Sequence, residues 1–291
     1  MKSISDPMRP GRVIRSIKNA VTSDRSDLTR EVEYARKAAL AAGEILLRYY
    51  GTDYEIGSKG KNNPVTIADT EADSAIKAIL MYAFPDYGWL SEETVDSEER
   101  LGKERVWIVD PLDGTKEFIN KVPEFCVAIG LSAHGQPVVG VTYNPITNEM
   151  WWSARGMGCH LGEHRAHLTR TRMLHRASVL ASRSEIKRGE WEVFNGVMKA
   201  VPTGSVAYKL ALVAGGKADA TFTRSPKNEW DIASGAALII EAGGTMTDID
   251  GQPMTFNKKI TKCAGLIASN GILHDQLMKV APHHSGYLAK K

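Results

Sequence analysis

Residues 107–118 read Trp-Ile-Val-Asp-Pro-Leu-Asp-Gly-Thr-Lys-Glu-Phe. The apolar start of this stretch predicts a short buried strand that ends at Asp110, and the proline turn after it leads to Asp113, Gly114 and Thr115 at the start of a predicted helix. Carboxylates bind hard cations such as Mg²⁺, and the N–H groups of a helix N-terminus bind phosphate oxygens. Ordinary turns also use Asp-Pro and Asp-Gly, but the combined string is more specific than either dipeptide. It predicts a metal and a phosphate in one loop.

Two further acidic positions border apolar segments. Glu92, within Ser-Glu-Glu-Thr at 91–94, follows the apolar pair at 89–90. It is either a second cation ligand or part of a solvated acidic loop. Asp231 opens a strongly apolar helical segment that runs to about residue 242, so it is either a helix N-cap or a ligand at a helix start. The local sequence leaves both alternatives open.

The apolar periodicity predicts a mixed α/β (α+β) chain with two lobes. Apolar residues at helical spacing predict two amphipathic helices before residue 85, and the second has Asp69 near its N-terminal end. Alternating runs then indicate an antiparallel meander; these are 125–133, 137–143 and 148–153. Beyond residue 158 a strand-then-helix alternation is expected; it includes 178–181, 191–201, 205–214, 218–222 and 232–242. The lobes are expected at 27–155 and 156–291.

Composition narrows the class of protein. Hydrophobic residues make up 43% of the 291, which suffices for a core. A net charge of +3, from 37 basic and 34 acidic residues, is too small to favour nucleic acid as the main partner. The three cysteines are far apart in sequence and predict neither a disulfide framework nor a CxxC metal site. We expect a cytoplasmic protein without a membrane span. We also expect a disordered tail at 1–26, with a transit-like segment as the alternative.

Three motifs together resemble the signatures of the inositol monophosphatase superfamily. They are Glu92-Glu93, the string at 110–115, and Trp230-Asp231 followed by Ala-Gly-Gly at 242–244, in that order and at similar spacing. The resemblance covers roughly residues 28–285. It implies a layered α/β/α/β/α sandwich of two lobes with the active site between them, two or three Mg²⁺ ions, and sensitivity to lithium. It also implies a homodimer, since relatives are commonly dimers.

The resemblance also implies roles for individual residues. It makes Glu92, Asp110, the Leu112 carbonyl, Asp113 and Asp231 the Mg²⁺ ligands around the substrate. Gly114 and Thr115 would hold the substrate phosphate. Thr115 and Asp69, the latter within Thr-x-x-Asp at 66–69, would orient and deprotonate the attacking water. An ordinary helix cap is the alternative for Asp69.

The substrate prediction depends on weaker signals. Thr115-Lys116-Glu117-Phe118 resembles the 3'(2'),5'-bisphosphate nucleotidase branch of the superfamily. Arg224 lies seven residues before Asp231, where inositol phosphatases tend to carry a glutamate, and a cation there suits a second phosphate. The helix beginning near Ser205 and carrying Lys209 matches the segment that lines the substrate pocket in the family, so Ser205 and Lys209 are candidate contacts to the 5'-phosphate or ribose. Arg224 as a solvent-facing strand-end residue, and Lys209 as an exposed helix residue, are the alternatives.

The sequence therefore predicts a Mg²⁺-dependent phosphomonoesterase acting on a small phosphorylated metabolite. The main interpretation is hydrolysis of 3'-phosphoadenosine 5'-phosphate to AMP and phosphate by a metal-activated water. The alternatives are an inositol-1-monophosphatase and a broader sugar-phosphate or histidinol-phosphate phosphatase. A non-enzymatic alternative is binding to RNA or RNA polymerase, indicated only by the basic segment at 165–176.

Overall fold

The computed structural model describes residues 27–60 and 63–281. The predicted tail at 1–26 lies outside the described residues. Within the described part of the chain, no helix combines the length and the apolarity needed to cross a bilayer.

A seven-stranded sheet forms the first half of the fold. Its strands, in spatial order, are β3 (Gly88–Ser91), β4 (Arg105–Asp113), β5 (Cys126–Ala133), β6 (Gln136–Asn144), β7 (Glu149–Ala154), β8 (Gly158–Leu161) and β9 (His164–Arg165). Only β3 and β4 are parallel, and every later neighbour is antiparallel. The predicted antiparallel meander is confirmed.

Two helices cover the outer face of this sheet. α1 (Thr29–Tyr49) and α2 (Ile67–Ala83) are separated by the hairpin of β1 (Ile56–Gly60) and β2 (Asn63–Thr66). α1 turns a face of small and aliphatic side chains inward; these are Val32, Ala35, Ala38, Ala39, Ala42 and Leu46. The small residues let the helix lie close to α2 and the sheet.

A five-stranded mixed sheet forms the second half. Its strands, in spatial order, are β11 (Lys199–Thr203), β10 (Ser178–Ser182), β12 (Ala220–Thr223), β16 (Leu266–Ser269) and β14 (Thr245–Asp248). α5 (Val206–Ala214) and α6 (Glu229–Glu241) pack between the two sheets. The remaining short elements are α3 (Thr115–Ile119), α4 (Arg183–Lys187), β13 (Lys227–Asn228), β15 (Lys262–Cys263) and α7 (His274–Val280).

Three apolar clusters hold these layers together. One joins α1 and α2 to the seven-stranded sheet, a second joins the two sheets through α5 and α6, and a third lies between the five-stranded sheet and α7. The order of layers is therefore helix, sheet, helix, sheet, helix. This is the predicted α/β/α/β/α sandwich.

Two details differ from the sequence-based expectation. The first sheet continues through β8 and β9 to Arg165, and the second begins at Ser178, so the changeover comes later than the expected boundary at 155/156. Residues 191–201, expected in a helical position, form a single 3₁₀ turn at Glu192–Phe194 and then enter β11. Gly196 with φ of +79° separates the two, because a left-handed residue ends helical geometry.

α6 approaches the seven-stranded sheet unusually closely at two glycines. A Cβ atom on Gly130 in β5 would lie 2.7 Å from Ala233 Cβ, and one on Gly140 in β6 would lie 2.2 Å from the Ser234 carbonyl oxygen. Both distances are shorter than any real contact of this kind, so a side chain at either position would force the helix away. The absence of side chains at these positions sets the distance between α6 and the sheet.

Candidate active site

A β-bulge at the end of β4 places two aspartates on one face of the strand. Asp110 pairs with Ala128 of β5 and Asp113 pairs with Cys126, so two residues of β4 stand opposite one residue of β5. Side chains alternate between faces along a regular strand, and residues three apart would point in opposite directions. The extra residue at Pro111-Leu112 cancels that alternation. Asp113 therefore faces the same side as Asp110.

Asp110 lies at the centre of a cluster of three carboxylates. It is 2% exposed, and its Oδ1 accepts a hydrogen bond of 3.0 Å from the Leu112 amide. Glu92, directly after β3, and Asp231, in the first turn of α6, bring carboxylate oxygens within 4.8 Å of one another and of Asp110. We call Glu92, Asp110 and Asp231 the carboxylate cluster.

Asp231 lies in the first turn of α6 but is not its N-cap residue, which is Asn228. It is the third residue of α6, and its Oδ2 accepts a hydrogen bond of 2.9 Å from the Asn228 amide at the N-cap. This contact completes one half of a capping box. The carboxylate also belongs to the carboxylate cluster. The helix start therefore fixes the position of the acid.

Asp113 lies beside the cluster and contacts the other inter-sheet helix. Its Oδ2 accepts hydrogen bonds from the Ser205 hydroxyl at 2.7 Å and from the Ala207 amide at 2.6 Å, at the N-terminus of α5. Ser205 has φ of +55° and ψ of 136°, a conformation that non-glycine residues rarely adopt. One oxygen of Asp113 is thus engaged by the protein, which leaves Oδ1 as the atom available to a cation.

Asp69 links α2 to the loop after β4. Its Oδ2 accepts hydrogen bonds of 2.7 Å from both the amide and the hydroxyl of Thr66. Its Oδ1 lies 3.2 Å from Thr115 Oγ1, which is also 3.3 Å from the Leu112 carbonyl. Asp69 is 1% exposed. It therefore serves as a cap of α2 and as a hydrogen-bond acceptor for Thr115 at the same time.

These groups open onto one cavity of about 430 Å³ between the two halves of the fold. Most of the predicted site residues line it: Glu92, Asp110, Leu112, Asp113, Gly114, Thr115, Ser205, Lys209 and Asp231. Asp69 lies behind Thr115 and is absent from the lining. The structure thus brings together residues that are up to 139 positions apart, from Glu92 to Asp231.

Arg224 is the one predicted substrate contact that the structure does not bring into the cavity. Its Nη2 donates a hydrogen bond of 3.1 Å to the Glu190 carbonyl, and its guanidinium lies 5.7 Å from the centre of the Phe194 ring. Neither alternative from the sequence describes it well, because it is partly buried against these groups.

Lys209, by contrast, is a buried cavity residue. It is 6% exposed, lines the cavity, and its Nζ donates a long hydrogen bond of 3.4 Å to the Thr203 carbonyl. The alternative of an exposed helix lysine is therefore wrong.

The electrostatics of the cluster favour a bound cation. Burial, followed by repulsion from Glu92, Asp113 and Asp231, raises the pKa of Asp110 well above its ordinary value. Burial, together with Asp113 and Glu92, raises the pKa of Asp231 to about 8. Carboxylates held this close resist ionisation unless a positive charge compensates them.

The donor set fits Mg²⁺. All cluster ligand atoms are carboxylate oxygens, the atoms that hard divalent cations prefer. The three oxygens lie within 4.8 Å of one another, whereas the ligands of one Mg²⁺ at roughly 2.1 Å are about 3.0 Å apart when adjacent and about 4.2 Å apart when opposite. The Leu112 carbonyl and Asp113 Oδ1 adjoin the same cavity.

Sequence reasoning missed two groups that shape the site. Lys116, Glu117 and Lys227 line the cavity, although only the first two stand beside the motif at 110–115. Glu124 accepts hydrogen bonds from Arg183 at 2.6 Å and from the Gly204 amide at 2.7 Å, and so fixes the turn before Ser205. No local pattern marks Glu124, because its partners are 59 and 80 residues away.

Comparison with known proteins identifies the family. The family model described as "Inositol monophosphatase family" matches residues 27–285. The chain belongs to the inositol monophosphatase family. The predicted superfamily membership is confirmed, and with it a phosphatase whose family acts on small phosphorylated substrates and is generally Mg²⁺-dependent.

Individual relatives of this inositol monophosphatase family member are similar over most of the chain. A Caulobacter vibrioides protein named inositol-1-monophosphatase is 36% identical and is covered over 98% of its length by 85% of this chain. An Escherichia coli K12 protein named Nus factor SuhB is 32% identical, with 75% of this chain covering 84% of it. The crystal structure of extragenic suppressor protein suhB from Bartonella henselae has a TM-score of 0.75 at 31% identity, covering 85% of this chain and 96% of that chain.

These names bear on two of the sequence-based interpretations. The nucleotidase interpretation gains no support from them, and the inositol-1-monophosphatase alternative does. The expectation that nucleic acid is not a partner stays a prediction, because the E. coli relative is named a Nus factor.

We expect the metal-free protein to lose stability as pH rises from about 4 to about 8. Asp231 and Asp110 bind protons more tightly in the folded state, so the folded state holds more protons across this interval than the unfolded state does. The stabilising protons are lost as pH rises through the folded pKa values. Calorimetric melting temperatures in EDTA should therefore be higher at pH 5 than at pH 8.

Two controls isolate the carboxylates. Saturating Mg²⁺ should raise the melting temperature more at pH 8 than at pH 5, because it binds the ionised form. Asp231→Asn should flatten the metal-free profile. A metal-free profile between pH 5 and pH 8 that was the same in Asp231→Asn as in the wild type would contradict the raised pKa of Asp231.

Proposed function

We propose that the protein hydrolyses a phosphomonoester of a small polyol, of the inositol-1-phosphate class, with the help of Mg²⁺. One observation carries this proposal: the carboxylate cluster and the Gly114-Thr115 turn open onto the same cavity. The Caulobacter vibrioides relative named inositol-1-monophosphatase supports the choice of substrate class.

In this proposal the protein supplies ligands, phosphate contacts and a proton acceptor. Glu92, Asp110, Asp113, Asp231 and the Leu112 carbonyl would hold the two or three Mg²⁺ ions that the family resemblance implies. Bound Mg²⁺ would polarise the phosphate and lower the pKa of water. Gly114, with φ of +101°, allows the turn that starts α3 at the edge of the cavity. The Thr115 amide at that start holds a phosphate oxygen, while the Thr115 hydroxyl donates to Asp69.

The Thr115–Asp69 pair orients the attacking water. When the Thr115 hydroxyl donates to Asp69 Oδ1, its oxygen lone pairs face the cavity and can accept a hydrogen bond from water. Asp69 is held by Thr66 through its other oxygen, so its position is fixed from behind. As Thr115 Oγ1 takes a proton from the water, the Thr115 hydroxyl passes its own proton to Asp69 Oδ1, so Asp69 is the base.

A second candidate substrate, a 3',5'-bisphosphate nucleotide, is favoured by three lysines in the cavity. Lys116, Lys209 and Lys227 all line it. A phosphomonoester with a second anionic group could place that group near Lys209 while its reacting phosphate lies at the cluster. The string at 115–118 supports the same candidate.

A substrate panel tests both candidates. The purified protein with Mg²⁺ should be assayed on inositol-1-phosphate, 3'-phosphoadenosine 5'-phosphate, fructose-1,6-bisphosphate and histidinol phosphate. We expect the highest kcat/KM on inositol-1-phosphate. A preference for the nucleotide would replace the first candidate with the second, and no turnover of any ester would contradict the phosphatase role.

Lys209→Met separates recognition of a second phosphate from catalysis. We expect kcat/KM for 3'-phosphoadenosine 5'-phosphate to fall roughly 10- to 100-fold, the size of a lost charge-assisted contact. Turnover of inositol-1-phosphate should change much less. Initial rates on both substrates give the ratio.

Two variants serve as controls for Lys209. Lys217→Met makes the same chemical change at an exposed position after α5 and should leave both substrates unaffected. Arg224→Ala should also leave the ratio unchanged, because Arg224 contacts Glu190 and Phe194. Equal losses on both substrates in Lys209→Met would mean that Lys209 is structural, and a ratio shifted only by Arg224→Ala would return the second phosphate to Arg224.

A further inference from the structure

α2 carries two buried carboxylates one helical turn apart, and each contacts a different loop of the site. Asp69 faces Thr115, the first residue of α3, just after β4. Asp73, four residues later and 5% exposed, faces the segment that follows β3. Residues four apart lie on one face of a helix, about 5–6 Å from each other at Cβ. One rigid element therefore reaches both loops.

Asp73 contacts both ends of the segment that contains Glu92. The Ser91 hydroxyl donates to Asp73 Oδ1, and the Thr94 hydroxyl donates to Asp73 Oδ2 at 2.6 Å. Both oxygens of the carboxylate are thus used, one for each end. Glu92 and Glu93 are the only residues between these two anchors.

Each anchoring hydroxyl also accepts a hydrogen bond from the surrounding structure. Ser91 Oγ accepts from the Glu93 amide at 3.3 Å, and Thr94 Oγ1 accepts from the Trp89 indole at 3.3 Å. The Glu92 amide donates a hydrogen bond of 3.2 Å to the Val109 carbonyl, next to Asp110. The direction of the Glu92 side chain therefore depends on the chain path that Asp73 fixes on either side of it.

Burying Asp73 is costly unless its oxygens are hydrogen-bonded, so the Ser91 and Thr94 contacts are a requirement of folding as well as of geometry. A leucine or alanine would cover the same helix face at lower cost. The hydrogen bonds of Asp73 fix the position of the loop that carries Glu92, one of the three residues of the carboxylate cluster. Outer hydrogen-bond partners of this kind orient metal ligands.

We propose that Asp73 is a positioning residue that holds Glu92 against Asp110 and Asp231 in the geometry that binds the divalent cation. This inference rests on the proposed function, since it gives Glu92 the role of a cation ligand. α2 thereby fixes both the carboxylate cluster, through Asp73, and the Thr115 hydroxyl, through Asp69.

Thr94 provides the sharpest test, because it allows a matched pair of substitutions. Thr94→Val removes the hydroxyl and keeps the shape, whereas Thr94→Ser keeps the hydroxyl. Isothermal titration of the metal-free protein with Mg²⁺ should show a dissociation constant raised about tenfold or more in Thr94→Val and Asp73→Asn. Thr94→Ser should stay near the wild-type value. The kcat at saturating Mg²⁺ should change less than the Mg²⁺ dissociation constant does.

Two further measurements complete the test. Ser74→Ala removes an exposed hydroxyl of the same helix, whose hydrogen bond goes to the Thr70 carbonyl, and should leave Mg²⁺ binding unchanged. The double variant Asp73→Asn/Thr94→Val should bind Mg²⁺ no more weakly than the worse single variant, since both remove one interaction. If Asp73→Asn does not fold, the Thr94 pair decides alone.

Three outcomes would overturn the proposal in distinguishable ways. Wild-type Mg²⁺ affinity in Thr94→Val, with only a lower metal-free melting temperature, would make the Asp73 contacts purely structural. Equal weakening in Thr94→Ser and Thr94→Val would exclude the hydroxyl as the cause. A wild-type protein that bound no Mg²⁺ would overturn the proposed function itself, together with this inference.

Discussion

Chelation with EDTA is expected to abolish phosphatase activity, and Mg²⁺ to restore it. The carboxylates of Glu92, Asp110 and Asp231 converge within 4.8 Å, and without cations their charge would repel an anionic phosphate ester. Turnover of inositol-1-phosphate measured before and after dialysis against EDTA checks the expectation. Full activity in chelator would contradict the metal-dependent mechanism.

Other cations should fail to replace Mg²⁺. Ca²⁺ should suppress turnover, because it prefers longer bonds and more ligands than Mg²⁺ and would misplace the reacting groups. Millimolar Li⁺ should inhibit, as the family resemblance implies, because it carries one charge fewer into a Mg²⁺ position. Titrations with each ion at fixed Mg²⁺ separate competition from general salt effects, for which Na⁺ is the matched control.

Asp110→Asn should lower kcat by roughly 10²-fold or more while the protein stays folded. Asp110 is the most buried member of the carboxylate cluster and keeps its Leu112 contact through the amide oxygen of asparagine. Removing one negative charge also relieves repulsion from Glu92, Asp113 and Asp231. The melting temperature in EDTA at pH 8 should therefore rise even as activity falls.

The same substitution at an exposed aspartate gives the control. Asp250→Asn, in the turn after β14, should change neither kcat nor the metal-free melting temperature. Asp110→Asn with near-normal kcat at saturating Mg²⁺ would show that Asp110 is not a ligand. A lower metal-free melting temperature in that variant would show that the cluster does not destabilise the metal-free fold.

The sequence predicted the site best where its residues are contiguous. Asp110 and Asp113 could be placed together from the string at 110–115 alone, although a turn was expected and the structure contains a β-bulge. Glu92 and Asp231 needed the family resemblance, because their proximity depends on the packing of β3 and α6 against β4. The layered fold followed from the same resemblance.

Contacts across long sequence separations could not be predicted. Asp73 meets residues 18 and 21 positions away. The one local signal is the four-residue spacing from Asp69, which places both acids on one helix face. Arg224 and Lys209 show the same limit, because no local pattern marks their contacts. Arg224 lies against Glu190 and Phe194, whereas Lys209 is buried and lines the cavity.

Irregular backbone was the other source of error. Residues 191–201 contain enough apolar positions to suggest a helix, but the glycine at 196 divides them into a 3₁₀ turn and a strand start. The apolar side chains Trp191 and Phe194 still pack into the third core cluster. The hydrophobic pattern thus identified buried residues correctly while the element type was wrong.

The two glycines beneath α6 limit how this scaffold can vary. Asp110 and Asp231 come from separate layers of the sandwich. The distance between them depends on how closely α6 packs against Gly130 and Gly140. A single added methyl group at either position would push α6 away from the sheet and move Asp231 with it, although no residue that lines the cavity would have been substituted. Substitutions around the cavity can alter which ester is accepted. The distance between Asp110 and Asp231 depends instead on Gly130 and Gly140, which do not line the cavity.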